Sequence, residues 1–286
     1  MSAATGRFFS GLARAVGGAL LFALPLWMTE ETWHLGYTVD PGRLALFVAL
    51  TCPFLVALSH VSGFEPTVGL VDDVVDAAVA WAVGFATGAA GMALLGLFGS
   101  HTSWREGTGR LALLAVPGSI GALLAQSQFN TDDGGLESSG ADDGTGEGGD
   151  EKSGRPSTYA SQLLVMLAGA VFLAFNIAPT HEVELVALVI TPWHALALVG
   201  VSLAAMHGFV YALHFTGDEP LGPGTPAWSA FARYTLPGYA VALGVAALVL
   251  WTFGRFVDTD AAVAVRMLVV LGFPSAVGAA AARVIL

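Results

Sequence analysis

Residues 175–194 read FNIAPTHEVELVALVITPWH, and this stretch places charged and polar side chains inside an apolar run. Residues 24–43 read LPLWMTEETWHLGYTVDPGR and align with it. When Thr29 is set against Thr180, Glu31 falls opposite Glu182 and Pro41 opposite Pro192, at a constant offset of 151 residues. The unusual residues of the chain therefore recur at matching places, which indicates an internal duplication.

Two further matches follow in the same order. Residues 60–66 read HVSGFEP and residues 214–220 read HFTGDEP, at an offset of 154. Pro117 and Gly121 recur as Pro274 and Gly278, at an offset of 157. A slowly growing offset is what small insertions in loops produce, so we predict two tandem repeats.

The composition predicts a membrane protein. The 286 residues are 55% hydrophobic and 12% charged, and the mean hydropathy is +0.70, values outside the range of soluble domains. A net charge of −11 argues against nucleic acid as a partner. The single cysteine, Cys52, excludes an internal disulfide and falls in an apolar run.

The fold class predicted is all-α, a polytopic helical membrane protein. Because a helix needs about 20 apolar residues to cross a bilayer, eight stretches qualify. They are residues 15–36, 44–60, 74–99, 110–126, 162–179, 183–213, 230–254 and 263–285. Four spans per repeat is an even number, so the halves should run parallel, related by an axis along the membrane normal.

Three segments follow from this division. Residues 1–126 form the first four-helix repeat, 127–160 a linker and 161–286 the second repeat. The linker is rich in glycine, serine and acids, which predicts disorder. A cleaved signal peptide was considered for the first span, but the apolar run continues into the repeated segment. We predict a cell-membrane protein with both termini and the linker on the cytoplasmic side. The basic residues favour this orientation only slightly, because six of them fall in the inner loops and five in the outer loops.

The matched polar segments supply the candidate binding residues. Pro25 should bend the first span one turn before the acids at 30 and 31, which lie either within the membrane or at its far, wet interface. Around residue 180 apolar sequence on both flanks favours burial and a broken helix, whose freed carbonyl oxygens could help hold a cation. The candidate ion or proton ligands are Glu31, Glu182, Glu184, His181, Glu30, Asn176, Thr180 and Thr29.

Secondary candidates lie near the matched helix ends. They are His60, His214, Asp72, Asp73 and Asp76. Helix-ending sequence explains the two histidine segments, and acids in a first turn complement the helix dipole, so a structural role stays open for all five. No spacing typical of a metal or cofactor site is present, and we predict neither.

The segments 175–198, 24–37 and GALLAQSQF at residues 121–129 resemble a family of bacterial integral membrane proteins of unknown function. The resemblance covers nearly the whole chain apart from the N-terminal residues and the linker. Its most specific part is the pattern at Asn176, Pro179, Thr180 and Glu182, from which His181 departs by standing where the family has a second acid. The resemblance implies a fold and a location in the membrane, and no activity.

Three classes of function fit these patterns. A transporter or channel for a cation or a proton-coupled small solute would use the intramembrane carboxylates. A sensor, assembly factor or scaffold would use the same residues only to lock helices together. A membrane-embedded, metal-dependent enzyme has the least support, because no ligand spacing matches a known signature.

Overall fold

The computed structural model describes residues 3–62, 69–95, 102–133, 159–212 and 231–285, and in these ranges the secondary structure is helical without strands. The helices are α1 (Ala3–Trp27), α2 (Glu30–Thr38), α3 (Pro41–Ser62), α4 (Leu70–Leu94), α5 (Trp104–Asp133), α6 (Tyr159–Ile177), α7 (Glu182–Val189), α8 (Pro192–Ala212), α9 (Leu236–Thr252) and α10 (Ala261–Ile285). A π-helical turn, Phe231–Thr235, leads into α9. The all-α membrane fold expected from the sequence is confirmed.

Six of the described helices are long and apolar enough to cross a membrane: α3, α4, α5, α6, α9 with its π turn, and α10. The pair α1 and α2 brings the count to seven when it is taken as one bent span. The predicted span 183–213 is interrupted, because the chain leaves α7 at Ile190 and begins α8 at Pro192. Apolar periodicity could not detect this interruption, since both sides of it are equally hydrophobic.

The predicted first span, 15–36, contains a sharp bend. Helix α1 contains Pro25 and ends at Trp27, and α2 leaves it at an angle of 86°. Together the two helices are long and apolar enough for one broken span or a re-entrant loop. The residues 11–27 that belong to the span measure about 25 Å at 1.5 Å per residue.

Close packing in each half depends on facing glycines. A Cβ atom on Gly18 in α1 would overlap the carbonyl oxygen of Gly121 in α5, and a Cβ on Gly169 in α6 would overlap that of Gly278 in α10. Without side chains at these positions the helix backbones approach directly, which is the usual way that helices associate in a membrane.

The two halves meet through aromatic side chains. Phe22 of α1 lies against Phe172 of α6, with ring centroids 4.1 Å apart. Phe175, which is fully buried, lies between Phe47 of α3 and Phe253 after α9, with both centroid distances at 5.3 Å. The part of the predicted linker at 134–158 lies outside the described residues, and α5 continues to Asp133, past the boundary expected at 126.

Candidate functional site

The first helix break is organised by Thr29. This residue has extended backbone angles and precedes the first turn of α2. Its amide donates to the carbonyl oxygen of Leu26 at 3.4 Å, and its hydroxyl lies 3.1 Å from the same oxygen and 3.2 Å from that of Pro25. The Thr29 hydroxyl is also 3.1 Å from the hydroxyl of Thr32. Thr29 therefore satisfies backbone acceptors that the end of α1 leaves open.

Thr180 satisfies a backbone acceptor at the second helix break, which lies between α6 and α7. Its amide and its hydroxyl both donate to the carbonyl oxygen of Ile177, at 3.1 and 2.8 Å. One turn earlier, the Asn176 amide nitrogen donates to the carbonyl oxygen of Phe172 at 2.7 Å. This bond fixes the orientation of the amide and leaves Asn176 Oδ1 buried, with no hydrogen-bond partner in the part of the chain that the structure describes.

Arg255, in the loop after α9, holds the second break together. Its guanidinium donates to the carbonyl oxygens of Pro179 and Thr180, the latter at 3.4 Å. Nη1 lies 3.4 Å from His181 Nδ1 and 3.8 Å from Glu184 Oε2. The Arg255 side chain is only 14% exposed, against 48% for Glu184. The cation that the freed carbonyl oxygens hold is thus a side chain of the protein itself.

The electrostatics of Arg255 connect the two breaks. Burial lowers the pKa of the guanidinium, and the carboxylates of Glu184 and Glu31 raise it. The net effect lowers the pKa of Arg255, and the guanidinium keeps its charge because the ordinary pKa of an arginine lies far above neutral pH. Since Glu31 belongs to α2 and Glu184 to α7, one buried cation interacts with acids from both halves of the chain.

A second arginine links the halves beside this site. Arg43, near the start of α3, donates to the carbonyl oxygen of Trp251 at 3.1 Å. Its guanidinium carbon lies 5.3 Å from the centre of the Trp251 ring, within the range of a cation–π contact. The ends of α2 and α9 are therefore held on the same face of the molecule, which we call the break face, comprising residues 28–43, 178–191 and 253–260.

The break face lies where α1, α6 and α9 end and where α2 and α7 begin. Helix α6 has 19 residues, about 28 Å, which by itself matches a hydrocarbon core of about 30 Å. His181, Glu182 and Glu184 are exposed at the protein surface, so these three side chains do not pack inside the helix bundle, and their depth in the membrane stays a prediction. Apolar flanks suggested burial, but α7 is a separate short helix with only Val183 and Ala187 buried.

The structure divides the candidate ligands. Thr180, His181 and Glu184 lie around Arg255, and Glu31 acts on it electrostatically, whereas Thr29 and Asn176 serve the helix ends. Glu30 is exposed and lies 3.4 Å from His34, one turn along α2. Arg255 itself was missed by the sequence argument, because it follows an apolar run and has no sequence neighbour to mark it as a partner of residues 179–184.

The charged form of the Glu182 carboxyl is stabilised by groups close to it in the chain. The Thr180 hydroxyl, the Glu182 backbone amide and the nearby His181 lower the pKa of this carboxyl. A lowered folded-state pKa means that the carboxylate stabilises the fold above its ordinary pKa of 4.5, and that this contribution disappears as the pH falls through the folded-state value.

We therefore expect Glu182→Gln to lower thermal stability slightly at pH 7, where the wild-type carboxylate is charged, and to equal wild type once the pH has fallen below the folded-state pKa of Glu182. Melting temperatures of detergent-purified protein at pH 3 to 7 would measure this, beside Asp258→Asn as an exposed control. An unchanged pH slope in Glu182→Gln would contradict the local stabilisation of the carboxylate.

The secondary candidates form a different cluster, at the opposite ends of α3 and α4. His60 Nδ1 lies 2.9 Å from Asp73 Oδ2, and Ser59 donates to Asp76 at 3.4 Å. Asp73 is buried, and Asp72 is exposed. His214 lies outside the described residues. Among the side chains that the structure describes, no group of three or more His, Cys, Asp or Glu could hold a metal ion.

These features define an α-helical, polytopic integral membrane protein with two helix breaks, of which the second is held by the largely buried Arg255. The family model described as "Putative integral membrane protein (DUF2391)" matches residues 11–286, and the chain belongs to this family. No curated protein and no solved structure matches it.

Proposed function

We propose that the protein is a secondary transporter for a cation or a proton-coupled small solute, with an ion-pair gate on the break face. The gate consists of Arg255, Glu31 and Glu184. The observation that carries the proposal is one largely buried guanidinium that lies 3.8 Å from Glu184 and also interacts electrostatically with Glu31, so that carboxylates from both halves of the chain act on it. Such a group opposes separation of the halves until a proton or a substrate cation replaces it at the carboxylates.

The internal repeat supports this mechanism, because transporters of this kind often move one repeat against the other. The glycine contacts match at the sequence offsets: Gly18 against Gly121, and Gly169 against Gly278. The last backbone hydrogen bonds of the short helices α2 and α7 match too. The Val39 amide donates to the carbonyl oxygen of Leu35, and the Ile190 amide donates to that of Val186. Helix α8, with 21 residues and no charged side chain in its sequence, would complete four spans in the second half.

Asn176 supports a place for a cation or water below the gate. Its Oδ1 is a buried acceptor with no partner among the described residues, and such an atom is costly unless something donates to it or is coordinated by it. Because α6 carries Asn176 one turn before the break, a solute passing Arg255 would meet this oxygen next. We place the termini and residues 134–158 on the cytoplasmic side of the cell membrane, opposite the break face.

A second candidate is a sensor, assembly factor or scaffold that moves no solute. The bonds from Arg255 to Pro179 and Thr180 favour it, since they give the arginine a structural task at a helix end. On this alternative the carboxylates only neutralise the guanidinium.

Flux measurements in proteoliposomes separate the two. We expect the wild-type protein to dissipate an imposed pH or cation gradient faster than empty vesicles do. Glu184→Gln should change that rate about tenfold, because Glu184 contacts Arg255, and Glu182→Gln should change it much less. The two acids lie on the same exposed helix, so general effects on folding should be similar.

Two results would count against transport. One is a wild-type rate equal to that of empty vesicles for protons and for the alkali cations. The other is an equal flux in Glu184→Gln and wild type, with only the melting temperature lowered, which is the result that the scaffold alternative predicts.

A further inference from the structure

An open cleft on the break face lies between α2 and the first turns of α5. Its volume is about 400 Å³, within the usual range of about 300–1,000 Å³ for small-molecule sites. The lining residues are Glu30, Trp33, His34, Tyr37, Glu106 and Arg110. The floor is formed by close backbone contact, because a Cβ atom on Gly109 would overlap the carbonyl oxygen of Gly36.

The charged side chains of the cleft differ in how far a ligand can reach them. Arg110 forms an ion pair with Glu106, and its Nε donates to the carbonyl oxygen of Trp33 at 3.1 Å. Both side chains of this pair are largely covered, at 13% and 22% exposure. The Glu30 carboxylate, in contrast, is 76% exposed. The group that a ligand can reach is therefore an anion, and the guanidinium is already committed.

The aromatic side chains of the cleft are held in place. Trp33 donates its indole N–H to the carbonyl oxygen of Trp27 at 2.9 Å. Tyr37 hydrogen-bonds through its hydroxyl to His34 Nδ1, and these two rings lie 5.4 Å apart. His34 Nε2 lies 3.4 Å from Glu30. Each ring is thus oriented by a polar contact at its edge, which leaves ring faces for a ligand.

We infer that this cleft binds an organic ammonium group. An accessible carboxylate beside fixed indole and phenol rings is the combination that recognises alkylated ammonium, through charge attraction and cation–π contacts. An anionic ligand would be repelled by the exposed Glu30 carboxylate, and the Arg110 guanidinium already pairs with Glu106. The ammonium could belong to a free solute or to a lipid headgroup, because the cleft is open and adjoins the end of the apolar helix α1, where a membrane interface is expected. This site does not depend on the transport proposal.

Calorimetric titration of the detergent-purified full chain with choline tests the binding. Choline should bind, and the uncharged isostere 3,3-dimethylbutan-1-ol should bind at least tenfold more weakly. Glu30→Gln should weaken choline binding about fivefold, as expected for loss of one exposed ion pair. Tyr37→Ala should weaken choline binding, because it removes the phenol ring.

Asp258→Asn is the matched control, since it removes one exposed acid from the same face and asparagine tolerates the positive φ of 54° at this position. Its choline affinity should equal that of wild type. Equal binding of the isostere and choline, or equal choline affinity in Glu30→Gln and wild type, would overturn the assignment.

Nanodiscs identify the source of the ammonium group. Phosphatidylglycerol discs are compared with discs in which a fifth of the lipid is phosphatidylethanolamine or phosphatidylcholine. Stabilisation by these lipids that is lost in Glu30→Gln indicates a headgroup site, and choline binding without a lipid effect indicates a free solute. If neither choline nor the lipids bind in a Glu30-dependent way, the inference is wrong.

Discussion

Gly278→Ala is expected to destabilise the protein by about 3 kcal/mol or more, at the upper end of the usual cost of overpacking. The added Cβ would overlap the carbonyl oxygen of Gly169 and lie 3.0 Å from the side chain of Leu173. Because the first of these atoms is backbone, it cannot swing aside, and α6 must separate from α10. The loss of contact should spread along both helices.

The matched control is Gly244→Ala in α9, where nothing lies within 4 Å of the added atom. Its stability should stay the same or rise slightly, since alanine favours a helix over glycine. Thermal unfolding followed by circular dichroism, with size exclusion to detect aggregation, compares the two variants. Similar melting temperatures would show that the glycine contact does not determine the packing of α6 and α10.

Arg255→Met should lower stability by about 2 kcal/mol and remove the proposed gate. The substitution keeps much of the side-chain length but leaves the carbonyl oxygens of Pro179 and Thr180 without their donor. Hydrogen bonds from charged groups contribute about 1.5–3 kcal/mol each, and water can replace part of this loss because Glu184 is 48% exposed. We expect flux through the reconstituted protein to lose its dependence on Glu184.

Arg255→Lys distinguishes the gate from a purely structural cap. Lysine keeps the positive charge but has no planar guanidinium to bridge two carbonyl groups and a carboxylate. If charge is what controls flux, Arg255→Lys should retain more transport than Arg255→Met. Arg105→Gln, an exposed arginine at the start of α5, is the control for general loss of charge. Equal stability of Arg255→Met and Arg105→Gln would exclude a role for Arg255 in holding the break.

Much of the fold could be predicted from local patterns. Apolar length predicted the helices, and Pro25 and Pro179 predicted a bend and a broken helix near the places where α1 and α6 end. Pro41 and Pro192 begin α3 and α8, as expected for a residue that suits a first helical turn. The angle of 86° between α1 and α2 could not be predicted, because it depends on α2 packing against α5 through Gly36 and Gly109.

The acids at 31 and 184 were expected to bind an ion or a proton, and this stays a prediction. The structure adds a protein cation that was not expected, Arg255, which lies 3.8 Å from Glu184 and is separated from Pro179 by 76 positions in the chain. A contact across that distance leaves no periodic signal, since it follows only from the packing of α9 beside α6.

By itself the sequence determined that the chain is a helical membrane protein with polar interruptions at matching places, because hydrophobic length, proline and threonine act on their immediate neighbours. The tertiary structure alone decided what those interruptions contact. Arg255 reaches Pro179 and Glu184, and Arg110 reaches Trp33, only after the helices have packed. In an apolar bundle a carbonyl oxygen at a helix break needs a hydrogen-bond donor from the protein. The packing of neighbouring helices determines which residue supplies that donor.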